Sequence, residues 1–439
     1  MTDGEGHEMA IIAKCRNIAV PEQIVDLLLD PTAYANDRVL QAYAWLRENA
    51  PLAVIEREGF DPFRVVTRYA DIREISRRND QFHAGARFNP LIDKAGADFI
   101  LSINDGSPHL VDSIVFMDSP RHMPHRLLTQ NWFMPSNLRK LEDRIRVIAR
   151  DAIDRMAAMD GRCDFAKDVA FAYPLHVIMS IFGVPAHDEP IMHRLTQDLF
   201  GGQDPEVTGA FHALDAEAYA ANLHKTVAGF SDYFAALSAD RRANPRDDLA
   251  TVIAHGQIRG EPIGKSAETG YYIAVATAGH DTTSISTATA MEQLALNPDQ
   301  FAKVQANPSL IPCLVDEAIR WATPIKHFMR SAAVDTEFAG EQLKANEWLM
   351  LCYASGNRDE TVFDAPERFD IERSPNPHLS FGYGAHLCIG QHLAKLEMKI
   401  LFEELIARIA SVSLDGEASK TKSWFISGIR CLPVTFTLK

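Results

Sequence analysis

Residues 381–390 read FGYGAHLCIG and lead into QHLAKLEMKILFEELIARI, which has the apolar spacing of an amphipathic helix. One cysteine, Cys388, stands among three glycines just before that helix. A thiolate ligand needs a tight turn, backbone N–H groups aimed at sulfur, and a positive end nearby to lower the thiol pKa. Gly382, Gly384 and Gly390 offer the backbone freedom, φ > 0 included. The helix start offers unpaired N–H groups and the positive end of a macrodipole.

A metal held by a single protein thiolate must take its other ligands from a cofactor, and haem supplies four nitrogens. A glycine-rich loop whose cysteine merely packs into a helix start fits the same ten residues. A second stretch, AVATAGHDTTS (274–284), sets the carboxyl of Asp281 beside the hydroxyl of Thr282. Read alone, Gly279 ends one helix and Asp281 caps the next. EAIR places Glu317 and Arg320 three apart on one helix face, in reach of an ion pair. RHMPHR places His122 and Arg126 four apart.

Taken together and in this order, these stretches resemble the cytochrome P-450 family of haem-thiolate monooxygenases. Phe381, Gly384, Cys388 and Gly390 match the four fixed positions of that family's Phe-x-x-Gly-x-x-x-Cys-x-Gly signature. The resemblance implies haem b, with Cys388 as the iron ligand. It implies that His122, Arg126, Arg330 and His386 hold the haem propionates, as carboxylates require basic partners. Glu317, Arg320 and Arg368 (from PERFDIER) match the family's structural triad, which holds the cysteine loop in place.

Ala278, Gly279, His280, Asp281 and Thr282 match the family's Ala/Gly-Gly-x-Asp/Glu-Thr on a long central helix with a local distortion. Activating dioxygen takes two protons in a pocket too dry for bulk water, and positioned proton donors are worth about 10²–10⁴ in rate. Thr282 is expected to position dioxygen and Asp281 to relay protons. Val115, Ala274, Thr277, Ala278 and Phe425, with Lys326 and Trp424 nearby, fall at the family's substrate-pocket positions.

The likeness is strongest to the soluble bacterial branch that includes alpha-terpineol monooxygenase, carried by TAGHDTTS, GAHLCIGQHLAKLEMKI and YPLHVIM. It implies O2, a compact apolar substrate (monoterpenoid or aromatic hydrocarbon), and electrons from an iron–sulfur ferredoxin with an NAD(P)H-dependent reductase. Arg121, Arg139 and Lys395 are the expected docking cations for that ferredoxin. A peroxide-driven peroxygenase and a non-catalytic haem sensor are the rival readings. The paired Asp281 and Thr282 argue against both, because neither rival needs an acid–alcohol pair.

These groups need a large scaffold. The chain has 439 residues, 46% apolar and 23% charged, which is ordinary globular composition. Its net charge of −15, from 44 basic and 59 acidic residues, argues against a nucleic-acid partner. No run of about 18 apolar residues is present. The opening MTDGEGHEMAIIAKC lacks a basic and apolar leader pattern, so a soluble cytoplasmic monomer is expected. Six cysteines with no Cys-x-x-Cys spacing signal neither a zinc site nor a disulfide framework.

Helical periodicity predicts helices over 138–159, 169–183, 212–241, 266–296, 309–322 and after Cys388. Strand signals are short: PLAVIERE, FRVVTR, WLMLCYA (348–354) and the tail CLPVTFTLK. The prolines of SPNPHLS (374–380) mark a meandering loop. The expectation is one large haem-thiolate fold, mainly α with small β-sheets. Its β-containing part lies near 50–70, its helical core near 120–325 and its ligand loop at 381–390.

Overall fold

The computed structural model describes residues 19–200 and 216–439. The N-terminal segment read for a leader, Cys15, and the start of the helix expected from 212 lie outside the described residues.

Five strands build the principal sheet: β1 (Val54–Ile55), β2 (Phe63–Val66), β3 (Phe82–His83), β5 (His327–Ala332) and β6 (Trp348–Cys352), in the order β1-β2-β6-β5-β3. β6 runs parallel to β2 and antiparallel to β5, pairing Leu349 with Arg330 and Leu351 with Phe328. Every residue of β6 is buried, the mark of a strand covered on both faces. Period-2 alternation then sorts β5. His327 and Met329 face the cluster of Tyr34, Tyr43 and Met350, while Phe328 and Arg330 share the face of Leu349, Leu351 and Tyr353. A second sheet joins β4 (Arg162–Asp164), β8 (Pro433–Leu438) and β7 (Ile409–Leu414), with β8 in the middle.

Helices carry the rest. α1 is His122–Gln130, α2 Glu142–Ala157, α3 Ala172–Phe182, α4 Ala216–Ala243, α5 Lys265–Ala278, α6 Asp281–Leu296, α7 Ile311–Ala322 and α8 Gln391–Arg408. α6 is buried from Thr283 to Leu294 on every side, so it is the central helix of the bundle and not an amphipathic surface one. α7 packs on α6 and α8, and α8 packs on α2. No described helix is long and apolar enough to cross a membrane.

The predicted elements are present, with revised boundaries. The 138–159 helix is broken into Pro135–Leu138, a 3-10 turn Arg139–Leu141, and α2. A π-helical turn, Ala166–Phe171, precedes α3. The 266–296 pattern divides into α5 and α6 at Gly279 and His280. β3, β4, β5 and β7 carry no strand signal in the sequence reading. β3 and β4 have only two or three residues, and all four alternate too weakly to stand out from helical periodicity.

Candidate functional site

The cysteine loop is shaped as its glycines demand, with one exception. Gly382 and Gly384 have φ of +71° and +73°, where side chains are disfavoured. A Cβ on Gly384 would also stand 2.2 Å from the Ser76 carbonyl oxygen, so that position excludes every other residue twice over. Gly390 differs, because its φ is −86° and backbone freedom is not what it provides. It caps α8 and lies against the sulfur, with a Cβ there 4.0 Å from Cys388 Sγ. Cys388 N–H donates to the Phe381 carbonyl at 2.8 Å and ties the loop shut. Burial pushes the Cys388 thiol up, opposed by the backbone N–H groups of Gly390 and Gln391 and by Arg126.

The loop is held against α7 by a buried ion network. Arg320 donates Nε and Nη2 to the two Glu317 oxygens at 2.8 Å each, and both side chains are 0% exposed. Arg320 also donates to the carbonyls of Asn357 and Pro366, at 2.9 and 3.0 Å. The third arginine is Arg373, whose Nε donates to Glu317 Oε2 at 3.2 Å. This corrects the expectation for Arg368. The chain turns at Ala365, where the Arg368 N–H closes onto the Ala365 carbonyl, and this leaves the Arg368 side chain exposed while Phe369 goes inside. Arg368 contributes only its carbonyl, which accepts from Arg320 and Arg373. Asn376 and the Asp370 N–H fill the remaining Glu317 acceptor sites at 3.0 Å.

Beside the loop, four basic side chains from three elements converge. His122 of α1 stacks on His386 with ring centroids 4.1 Å apart. Arg126, one turn on, donates to the Leu387 carbonyl at 2.6 Å. Arg330 of β5 is 5% exposed and donates to the Met329 carbonyl at 2.7 Å. Burial lowers His386 to about 2, and Arg330, His122 and Arg126 push the same way. Burial likewise lowers His122 to about 4, with Arg126 next. Neither Arg126 nor Arg330 forms an ion pair with a carboxylate of the described residues. Such a cradle favours an anionic ligand, and the two carboxylates of haem fit it with the Cys388 sulfur close by.

Across the central helices, the backbone ladder is interrupted at Gly279. A Cβ there would press on the Val275 carbonyl and on Ile178 of α3, at 3.1 and 3.3 Å. Hydroxyls take up the local carbonyls: Thr282 donates to Ala278 O at 2.8 Å and Ser284 to His280 O at 2.9 Å. Gly279 does end α5, but Asp281 does not cap α6: it is the first residue of that helix, the N-cap position is His280, and no side chain caps it. Ala274, Ala278, Asp281 and Thr282, with Gly279 at the joint, keep accessible surface while the rest of 271–290 is buried. Their spacing of four, three and one puts them on a single stripe.

Val115 lies on the 3-10 turn Ile114–Phe116, which packs against α5; Gly270 makes the approach possible, as a Cβ there would stand 2.1 Å from Asp112 O. Phe425 packs its ring on Phe328 of β5 at 5.5 Å, and its loop reaches α6 where Gly428 meets Ile285. These therefore border the accessible stripe. Thr277 is buried, with its hydroxyl spent on Ile273 O at 2.7 Å. Lys326 turns elsewhere: its ammonium donates to Ala322 O at 2.7 Å, in a small cavity shared with Tyr34, Asp37 and Arg358. Trp424 donates to Leu91 O at 3.1 Å and belongs to the sheet core. Of the expected docking cations, Arg139 is exposed, whereas Arg121 pairs with Asp112 and Lys395 with Asp316.

The sequence reading gave no role to three residues that the structure places at or near the site. Arg373 is one. Glu397 of α8 is buried and bonds to Thr283, and burial drives its carboxyl well above the usual range. Its signal was available, since it occupies the apolar stripe of Leu393, Leu401 and Leu405. The third is His280, packed edge-on to Phe171 at 4.3 Å.

Comparison with known proteins agrees with this geometry. The family profile described as Cytochrome P450 matches residues 65–423. "Cytochrome P450-terp" of a Pseudomonas species is 46% identical over 95% of this chain and 98% of its own length. The Steroid C26-monooxygenase of Mycobacterium tuberculosis is 31% identical over 93% and 96%. The crystal structure of CYP108D1 from Novosphingobium aromaticivorans superposes with a TM-score of 0.90 at 42% identity, covering 96% of this chain and all of that one. With the fold, the glycine-shaped cysteine loop and its basic cradle all in place, this chain belongs to the cytochrome P-450 family.

Proposed function

We propose that this monooxygenase inserts one oxygen atom of O2 into a compact apolar substrate of the monoterpenoid or aromatic-hydrocarbon class, with electrons from an iron–sulfur ferredoxin. Cytochrome P-450 proteins carry haem b, and when bound the haem supplies the redox and oxygen-activating chemistry. Cys388 would hold the haem iron through its thiolate, and Arg126, Arg330, His122 and His386 would hold the propionates. The observation that carries the reading is the unpaired basic cradle beside a single shielded sulfur.

The remaining residues manage protons and water. Asp281 sits at the joint between α5 and α6 with its carboxyl partly accessible, so it can exchange protons with water in the cleft. The Thr282 hydroxyl donates to Ala278 O, leaving its lone pairs free to accept a hydrogen bond in the cleft. Val115, Ala274, Ala278 and Phe425 present an apolar wall that excludes bulk water from these groups. The kinship with the terp-named relative favours a compact terpenoid, while the steroid-oxidising relative shows that the family scaffold also accepts larger skeletons.

Optical titration of the haem-loaded protein tests the proposal. Terpineol and fused or linked aromatic hydrocarbons are each expected to be candidates for a low-to-high-spin shift in the Soret band. A shift with either class, followed by hydroxylated product with a surrogate ferredoxin and reductase, supports it. Turnover with peroxide alone would favour a peroxygenase. Haem binding without turnover on any substrate would favour a sensor.

A further inference from the structure

Seven tyrosines of the described residues are buried, and six of them spend the hydroxyl hydrogen on a partner. Tyr34 donates to Leu28 O, Tyr43 to the Tyr34 oxygen, Tyr69 to Pro377 O, Tyr173 to Glu397 O, Tyr271 to His125 O and Tyr272 to Ala250 O. Tyr353 is the seventh. It is 3% exposed, and its hydroxyl has no hydrogen-bond partner among the described residues; only burial and the charge of Arg330 act on it. A phenol taken out of water without an acceptor is a standing cost, so its position calls for a physical reason.

That position is the junction of the basic cradle and the cysteine loop. Tyr353 opens the helical turn after β6, on the face that β5 gives to Phe328 and Arg330. Its ring packs edge-on to Phe328 at 6.3 Å, which fixes where the hydroxyl points. A Cβ built on Gly382 would stand 3.8 Å from the Tyr353 oxygen and 3.8 Å from the His386 carbonyl oxygen. The hydroxyl and the His386 backbone therefore border one spot on the loop. Burial pushes the phenol up, against the pull of Arg330, so the hydroxyl keeps its hydrogen. A neutral O–H donor beside a buried guanidinium that lacks a carboxylate fits an acceptor that is also an anion.

We infer that Tyr353 is a further haem-binding residue, its hydroxyl donating to the propionate carboxylate that Arg330 pairs with. The inference rests on the cradle being the propionate site. Arg330 supplies the charge, and Tyr353 adds a hydrogen bond to an ionised acceptor, about twice as strong as one to a neutral group. No other buried tyrosine of the described residues is free to do this, because each has its hydrogen committed.

Tyr353→Phe removes the hydroxyl and keeps the ring on Phe328. The haem-loaded ferric variant is expected to lose haem to an excess of apoprotein acceptor about tenfold faster than wild type. The Soret band of its ferrous carbon monoxide complex should not move, because Cys388 is untouched. The propionate bending band in the resonance Raman spectrum should shift, a change that a hydroxyl serving only the fold would not cause. Combined with Arg330→Leu, the acceleration should fall short of the product of the two single effects, since both groups act on one carboxylate. A full product would overturn the shared carboxylate. Faster release with an unchanged Raman band would mean that the hydroxyl supports only the fold, and would overturn the assignment. If Arg330→Leu speeds release while Tyr353→Phe alters neither rate nor band, Tyr353 has no such role and the reading of the cradle stands. If neither variant changes release, the propionates lie elsewhere and the inference fails with the cradle.

Discussion

Arg373 and Glu317 meet at 3.2 Å with 9% and 0% of their side chains exposed, 56 residues apart in sequence. The contact fastens the meander after β6 to α7, and the cysteine loop follows that meander directly. Removing one member of a buried ion pair strands the other, at a cost of about 3–5 kcal/mol. Glu317→Ala strands two arginines and should leave little folded protein. Arg373→Ala should lose about 3 kcal/mol in urea unfolding. Arg368→Ala, with its side chain in solvent, should stay within about 0.5 kcal/mol of wild type.

Gly384 answers to both its φ and its neighbour Ser76. Gly384→Ala must adopt a left-handed conformation and also push the Ser76 backbone away, so a loss of about 2–3 kcal/mol is expected. Gly390→Ala, at φ −86° with only the sulfur 4.0 Å away, should cost far less stability. Thermal unfolding with haem content measured in parallel would distinguish them. Equal losses would refute this account of the loop.

Arg330 is the most enclosed of the propionate candidates. Arg330→Leu should keep the fold, because it removes repulsion among like charges, but weaken haem retention about tenfold or more. Transfer of haem to an excess of apoprotein acceptor measures this directly. Unchanged transfer kinetics would place the propionates elsewhere.

Thr282 and Asp281 should fail differently. Thr282→Ala is expected to consume O2 at a similar rate but release most of it as peroxide. Asp281→Asn is expected to slow consumption itself about 10²-fold. Simultaneous oxygen and peroxide measurements decide, and a tightly coupled Thr282→Ala would remove Thr282 from its role.

Burial lowers the Lys326 ammonium to about 7. Between about pH 7 and 10 the unfolded chain then binds a proton that the folded chain does not, so folding stability rises with pH in that window. Lys326→Met lacks the effect. The stability of wild type relative to Lys326→Met, from urea midpoints at pH 7 and 9, should shift in favour of wild type at the higher pH. A constant difference would mean that Lys326 remains charged.

Local pattern was enough to locate the cysteine loop, the acid–alcohol pair and the helices around them. Glycine at 382 and 384, a helix pattern after Cys388, and Glu317 three residues before Arg320 are short-range facts that survive into the fold because neighbours in sequence stay neighbours on a helix or turn. The same logic failed at Arg368. Which of two arginines five residues apart turns inward is decided by the reversal at Ala365 and by the depth of Glu317, and neither is encoded in spacing.

The tertiary structure alone decided what each side chain faces. Arg330 joins the basic cradle because strand pairing with β6 puts it on the face opposite His327. Lys326, one residue before β5, leaves the cleft for a cavity of its own. His280 carries no chemistry in the sequence beyond a variable position in a motif. It gains a fixed tautomer only because a carbonyl 109 residues away closes on Nε2. The sequence by itself determined which residues could act, through types and spacings that covalent connectivity preserves. Which of them meet, and in what protonation state, depended on packing between distant elements, where burial and the supply of hydrogen-bond partners are set.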